Sequence, residues 1–265
     1  MRPKGLIRLL LTGCLLLLLS GCTFGATVDA LLTPPHLRGE QEQIYQALEN
    51  AVGNRITLQY PRSGDHLSAV MISDLDGDGQ DEAAVFYRKE SSLSTENALR
   101  LNLLDQADGT WMSVCDLPAE GAEVDRGFTA DIGGRQRLII GYSQVDQSDK
   151  ALVVYNYEGG TLAKSFTVSY SSFDVADLDG DDQSELLILK AAEGEHAAEA
   201  AVYVPDEQDH YARYSLTLQG KTTEYSQVLC GNTQGKQTAI YLDGIVGATT
   251  MQTEVLQFDG KKLSY

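Results

Sequence analysis

Three aspartates alternate at Asp74, Asp76 and Asp78, followed by Gly79, Gln80, Asp81 and Glu82, and then by the apolar run Ala83 to Tyr87. The same order returns at Asp177, Asp179 and Asp181, with Gln183 and Glu185 ahead of Leu186-Leu187-Ile188-Leu189. Carboxylates this dense repel one another unless a cation lies among them. Side chains one, three and five of a tight loop point at a common centre. The main-chain carbonyl at position seven (Gln80 or Gln183) and the carboxylate at position nine (Glu82 or Glu185) complete an oxygen cage. Such a cage suits a hard divalent cation, Ca2+.

The elements that hold these loops are strands. An EF-hand also opens on alternating aspartates, but it needs a bidentate Glu at position twelve and a helix on either side. Position twelve is Val85 in one copy and Ile188 in the other. The residues after each loop are β-branched and aromatic, and Ser68 to Ile72 before the first loop is short and apolar, which favours strand, acidic loop, strand.

This pattern, Asp-x-Asp-x-Asp-Gly-x-Asp-Glu between two strands, resembles the calcium loops of FG-GAP and VCBS-type repeats, the blades of integrin α-type β-propellers. The resemblance covers roughly residues 67 to 265. It implies calcium ligands at Asp74, Asp76, Asp78, the Gln80 carbonyl and Glu82, and at Asp177, Asp179, Asp181, the Gln183 carbonyl and Glu185. Asp182 stands where the family has glycine, and Asp tolerates a left-handed backbone better than most residues.

A second repeat signal is independent of the acids. Apolar strands run into polar turns near residues 109, 160, 210 and 260, a period of about 50 residues, the size of a four-stranded blade. In step with it, Asp131-Ile132-Gly133-Gly134-Arg135 and Cys230-Gly231-Asn232-Thr233-Gln234-Gly235 occupy the places of two further loops. The first keeps one carboxylate and adds Arg135 and Arg137, and the second has none, so metal is expected in repeats one and three only. Ile44, Ala47, Leu48 and Val52 fall at helical spacing ahead of Gly53, predicting one short helix within 38–53. Ile56, Leu58 and Tyr60 alternate as a strand. Either this strand joins the last repeat and closes a ring, or the array belongs to a larger one. The expected fold class is all-β: a β-propeller-like array of about four four-stranded blades over 54–265, preceded by one short helix.

Arg2, Lys4 and Arg8, the apolar stretch Leu9 to Leu19 and then Leu19-Ser20-Gly21-Cys22 read as an export signal over 1–21, with an apolar core too short to span a bilayer. The tetrapeptide resembles the lipobox of bacterial lipoproteins, which implies lipidation of Cys22, a tether over 22–37 and a membrane partner reached through that anchor. The expected location is the cell membrane, facing outside the cytoplasm. The chain has 38 acidic and 20 basic residues and a formal net charge of −18, so a phosphate backbone is repelled and nucleic acid is excluded as a partner. Cys115 and Cys230 remain in the mature chain, as two buried thiols or one pair.

His36, His66, His196 and His210 lie among polar residues, and Gly-x-Ser-x-Gly, Walker and Cys-x-x-Cys motifs are lacking. The acids are accounted for as ligands, and the tyrosines as strand formers. The expectation is a non-catalytic binding and adhesion module, not an enzyme, for an unidentified protein or glycan. The alternatives are an extracellular polysaccharide hydrolase or lyase on a propeller scaffold, and an envelope assembly scaffold.

Overall fold

The computed structural model describes residues 39–90, 98–144, 150–232, 238–247 and 249–265. The expected signal segment 1–21, Cys22 and the tether 22–37 lie outside these residues, as do Thr233, Gln234 and Gly235 of the fourth loop. No helix among the described residues is long and apolar enough to cross a membrane.

The one described helix, α1 (Glu40–Val52), carries Glu40 and Glu42 in its first turn, where carboxylates suit the helix dipole. Gly53 (φ 94°) ends it and donates its N–H to the Glu49 carbonyl at 2.8 Å, a conformation that glycine adopts without strain. Ile44 and Leu48 on its buried stripe pack on the first sheet, with Val85, Tyr87 and Trp111.

Four antiparallel sheets follow in chain order. The first comprises β1 (Ile56–Leu58), β2 (Val70–Ser73), β3 (Glu82–Lys89), β4 (Arg100–Ala107) and β5 (Thr110–Pro118). The second is β6 (Glu123–Asp131), β7 (Gln136–Ser143), β8 (Lys150–Glu158) and β9 (Thr161–Ser169). The third is β10 (Ser172–Ala176), β11 (Glu185–Lys190), β12 (Glu199–Pro205) and β13 (Tyr211–Thr217). The fourth is β14 (Thr222–Asn232), β15 (Thr238–Val246), β16 (Thr250–Phe258) and β17 (Leu263–Ser264). Among the described residues the all-β class, the four sheets and the single short helix are as the sequence predicts, except that the first sheet has five strands where four were expected.

The repeat turns are hairpin tips, and each holds a residue in the left-handed region: Asp108 and Gly109, Gly159 and Gly160, Asp209, and Gly260. The early strand does not join the last sheet. β1 pairs with residues 87–89 of β3, and β2 pairs with residues 82–85 of the same edge. The cause is length: β2 has four residues and β3 has eight, so β2 leaves half of that edge without partners and β1 covers it. The fourth sheet takes its outermost strand from Leu263–Ser264 instead.

The second and third sheets each pack one face on the preceding sheet and the other on the following one, while the outer face of the first sheet is covered by α1. Leu138, Ile140 and Tyr142 of β7 meet the first sheet, while Ile139 meets the third. Leu186 and Ile188 of β11 meet the second sheet, and Leu187 and Leu189 meet the fourth. A strand buried on both faces must be apolar at consecutive positions, which explains the unbroken runs that follow the acidic loops.

Candidate functional site

Both acidic loops have the same scaffold, set by the first aspartate. Asp74 accepts the N–H of Gly77 (2.7 Å) and of Gly79 (3.0 Å). Asp177 accepts those of Gly180 (2.7 Å) and Asp182 (3.2 Å). These bonds wrap the chain around the carboxylate, so the turn forms from local chemistry. Gly79 has φ 87° and Asp182 has φ 69°, so the aspartate adopts the glycine geometry. Asp182→Gly is expected to relieve that strain and stabilise the protein by about 0.5–1 kcal/mol in urea denaturation. An unchanged or lower midpoint would show that the strain held there does not exceed the unfolded-chain entropy that glycine adds.

At the far end of each loop the glutamate turns inward. Glu82 and Glu185 accept the N–H of Leu75 and of Leu178, both at 2.7 Å, and both are buried. Carboxylate oxygens of Asp74, Asp76 and Asp78 lie within 4.8 Å of one another, as do those of Asp177, Asp179 and Glu185. Glu82 stands outside the first trio and Asp181 outside the second. The Gln80 and Gln183 main chains are pinned by donating their N–H groups to Asp78 (2.7 Å) and Asp181 (2.9 Å).

Electrostatically the loops lack positive charge. Burial, and then the neighbouring aspartates, push the carboxyls of Glu82 and Glu185 up to about 7, against the lowering effect of their backbone hydrogen bonds. Glu82 Oε1 is buried and has no hydrogen-bond partner, a costly state for a carboxylate oxygen. A dense oxygen set with an orphaned buried oxygen fits a calcium ion.

Each loop region lies at a seam, under the hairpin tip of the next sheet. Asp76 and Gly77 share a cavity of about 280 Å3 with Tyr157 and Glu158, beside the tip of the second sheet. Gly260, at the tip of the fourth sheet, leaves so little room that a Cβ there would sit 2.7 Å from Asp179 Oδ2. At the middle seam the acids are replaced by a cation. Arg137 is buried, donates to the Ile132 carbonyl (2.9 Å) and Asn156 Oδ1 (2.6 Å), and pairs with Asp209 (2.6 Å) on the third sheet's hairpin tip. Counted back from the apolar runs, Arg137 precedes Leu138 as Glu82 precedes Ala83 and Glu185 precedes Leu186. The three side chains are 1%, 1% and 2% exposed.

A different site, which has no motif, opens at the opposite ends of β7 and β11. It is a cleft of about 780 Å3 between the second and third sheets, within the size range of small-ligand sites. Tyr142 is among the residues that line it, and its hydroxyl lies 3.2 Å from that of Tyr155. Tyr170 donates to Asp125 (2.6 Å), which also pairs with Lys150 (3.0 Å). Burial and then the Asp125 carboxylate push the Tyr170 phenol far up, so it stays protonated and is no base near neutral pH. On the other wall a turn at Gly194 (φ 58°) closes with two backbone bonds between Glu193 and His196 (3.0 and 2.9 Å), presenting both side chains at the rim.

His196, which the sequence places among polar residues with no motif around it, thus lines a cleft. Its neighbours come from strand ends on different repeats, so no local spacing announces them. Trp111, Tyr155 and Tyr157 are core residues, and Cys115 and Cys230 are free, half-buried thiols. Burial pushes the Cys230 thiol up to about 12.

No protein-family model matches the chain, and no curated protein does. Solved structures with a similar arrangement include the exotype rhamnogalacturonan lyase YesX (15% identity, TM-score 0.38) and the rhamnogalacturonan lyase YesW (16%, 0.38). A Bacillus licheniformis rhamnogalacturonan lyase is also similar (14%, 0.37). The alignments cover 77%, 78% and 74% of this chain and 47%, 48% and 48% of those chains, so the chain spans about half the length of these lyases. These structures are of enzymes, not adhesins. The expectation of a non-catalytic binding and adhesion module, and with it the expectation that the chain is not an enzyme, runs against these likenesses.

Proposed function

We propose that the protein is a calcium-loaded, β-propeller-type chain of the FG-GAP/VCBS kind, lipid-anchored at Cys22 outside the cytoplasm, that acts on carbohydrate as a hydrolase or lyase. The observation that carries the calcium part is the orphaned, buried Glu82 Oε1 beside the Asp74, Asp76 and Asp78 trio. The ligands would be Asp74, Asp76, Asp78, Glu82 and the Gln80 carbonyl, and in the second loop Asp177, Asp179, Asp181, Glu185 and the Gln183 carbonyl. Calcium supplies the positive charge that the two loops lack. The protein's own groups do the positioning: Asp74 and Asp177 wrap their loops, and Glu82 and Glu185 tie each loop to the strand that follows it.

Calorimetric titration tests this directly. Two binding events are expected, with Asp74→Asn removing one and Asp177→Asn the other. A single event, or none, in the unsubstituted protein overturns the two-loop assignment.

The carbohydrate part rests on the cleft between the second and third sheets, which lies away from both loops. Within it Glu193, His196 and Lys190 are titratable groups with no ion-pair partner among the described residues, whereas Glu120 is paired with Lys164, Glu199 with Arg213 and Lys150 with Asp125. Incubation with a panel of neutral and acidic polysaccharides is expected to release new reducing ends or unsaturated sugars. Absence of cleavage across the panel, with calcium bound, would remove the enzyme reading.

A further inference from the structure

We infer that the cleft between the second and third sheets binds a neutral, hydroxyl-rich oligosaccharide in preference to an acidic one, an inference that rests on the carbohydrate reading above. The charges decide the class. Lys150, Glu120 and Glu199 each have an opposite partner, in Asp125, Lys164 and Arg213. Lys190 and Glu193 also line the cleft, make no ion pair among the described residues, and balance each other. The cleft is therefore close to neutral, on a chain whose formal net charge is −18. A uronate polymer meets no surplus of positive charge in the cleft and repulsion from the rest of the surface. An uncharged polyol meets neither barrier.

Hydrogen-bonding groups point the same way. Ser143 is 1% exposed and lines the cleft, and its Oγ has no hydrogen-bond partner. A buried hydroxyl left without a partner is destabilising, and a ligand hydroxyl would satisfy it. Ser171 Oγ already accepts the Ala191 N–H at 2.8 Å, which leaves its own hydrogen to donate. Small side chains at Ala151, Ala191 and Ala197 keep the walls open.

The test is calorimetric titration of the calcium-loaded full chain with short neutral gluco-, galacto- and manno-oligosaccharides, and with oligogalacturonate. At least one neutral series is expected to bind and oligogalacturonate not to. Ala197→Trp, at an exposed position on the wall, should weaken binding more than about tenfold by filling the cleft, with no change in melting temperature. Ser143→Ala should weaken it roughly three- to tenfold through the loss of one hydrogen bond. Tighter binding of oligogalacturonate than of every neutral series overturns the ligand class. Neutral binding that Ala197→Trp leaves unchanged overturns the cleft but not the carbohydrate reading. No binding of any sugar, together with no cleavage of the polysaccharide panel, overturns both.

Discussion

Chelating calcium is expected to lower the melting temperature by roughly 10–20 °C. With free calcium a hundredfold above the dissociation constant, each occupied loop stabilises the folded chain by about 2.7 kcal/mol. In a chain of this size each kcal/mol is worth about 2–4 °C, and two loops double the effect. The loss arises because Asp74, Asp76 and Asp78, and likewise Asp177, Asp179 and Glu185, are held together by backbone bonds that cannot neutralise them. Scanning calorimetry with calcium and with a chelator measures it, and an unchanged midpoint would sink the structural-metal proposal.

The same electrostatics give the chelated protein a pH dependence of definite sign. Glu82 and Glu185 titrate at about 7 in the folded, metal-free chain, raised from an ordinary value of 4.5. The folded state therefore holds more protons than the unfolded state between about 4.5 and 7, and stability falls as pH rises through that window. The chelated protein should melt at a higher temperature at pH 6 than at pH 8. Calcium should add more stability at pH 8, where it does not have to displace those protons.

Removing the Arg137 guanidinium is the second large effect. Arg137→Ala should cost about 3–5 kcal/mol in urea denaturation, the range for breaking a buried ion pair by deleting one partner. The substitution strips Asp209 and Asn156 of their shared cation and leaves a void where a wholly buried side chain stood. Asp209→Asn should cost less, since Asp209 is partly exposed and Arg137 keeps Asn156 and the Ile132 carbonyl. A cost below about 1 kcal/mol for Arg137→Ala would show that the middle seam does not depend on its cation. Because Arg137 occupies the register of Glu82 and Glu185, the middle seam has a covalently attached cation where the outer seams have carboxylates. Its stability should accordingly be indifferent to chelator, unlike that of its neighbours.

Local chemistry was enough to place the loops, the hairpin tips and α1. An alternating aspartate folds its own turn through bonds two to five residues away, a left-handed tip selects Gly or Asp, and an apolar stripe ahead of Gly53 marks a helix. All these interactions span a few residues, so they are written contiguously in the chain. The apolar runs at Leu138 and Leu186 likewise marked strands, but that both of their faces are buried emerges only from the packing of the sheets.

Tertiary structure alone decided the rest. The pairing of β1 with β3 depends on an edge that β2 is too short to fill. The burial of Arg137 depends on a hairpin tip 72 residues further on, and the cleft gathers Ser143, Lys150 and Lys190 from the ends of three strands and His196 from a turn. Hydrogen bonds within a turn are fixed by sequence spacing, but contacts between sheets depend on how four faces stack. That stacking is a property of the whole chain, and no short stretch of residues encodes it.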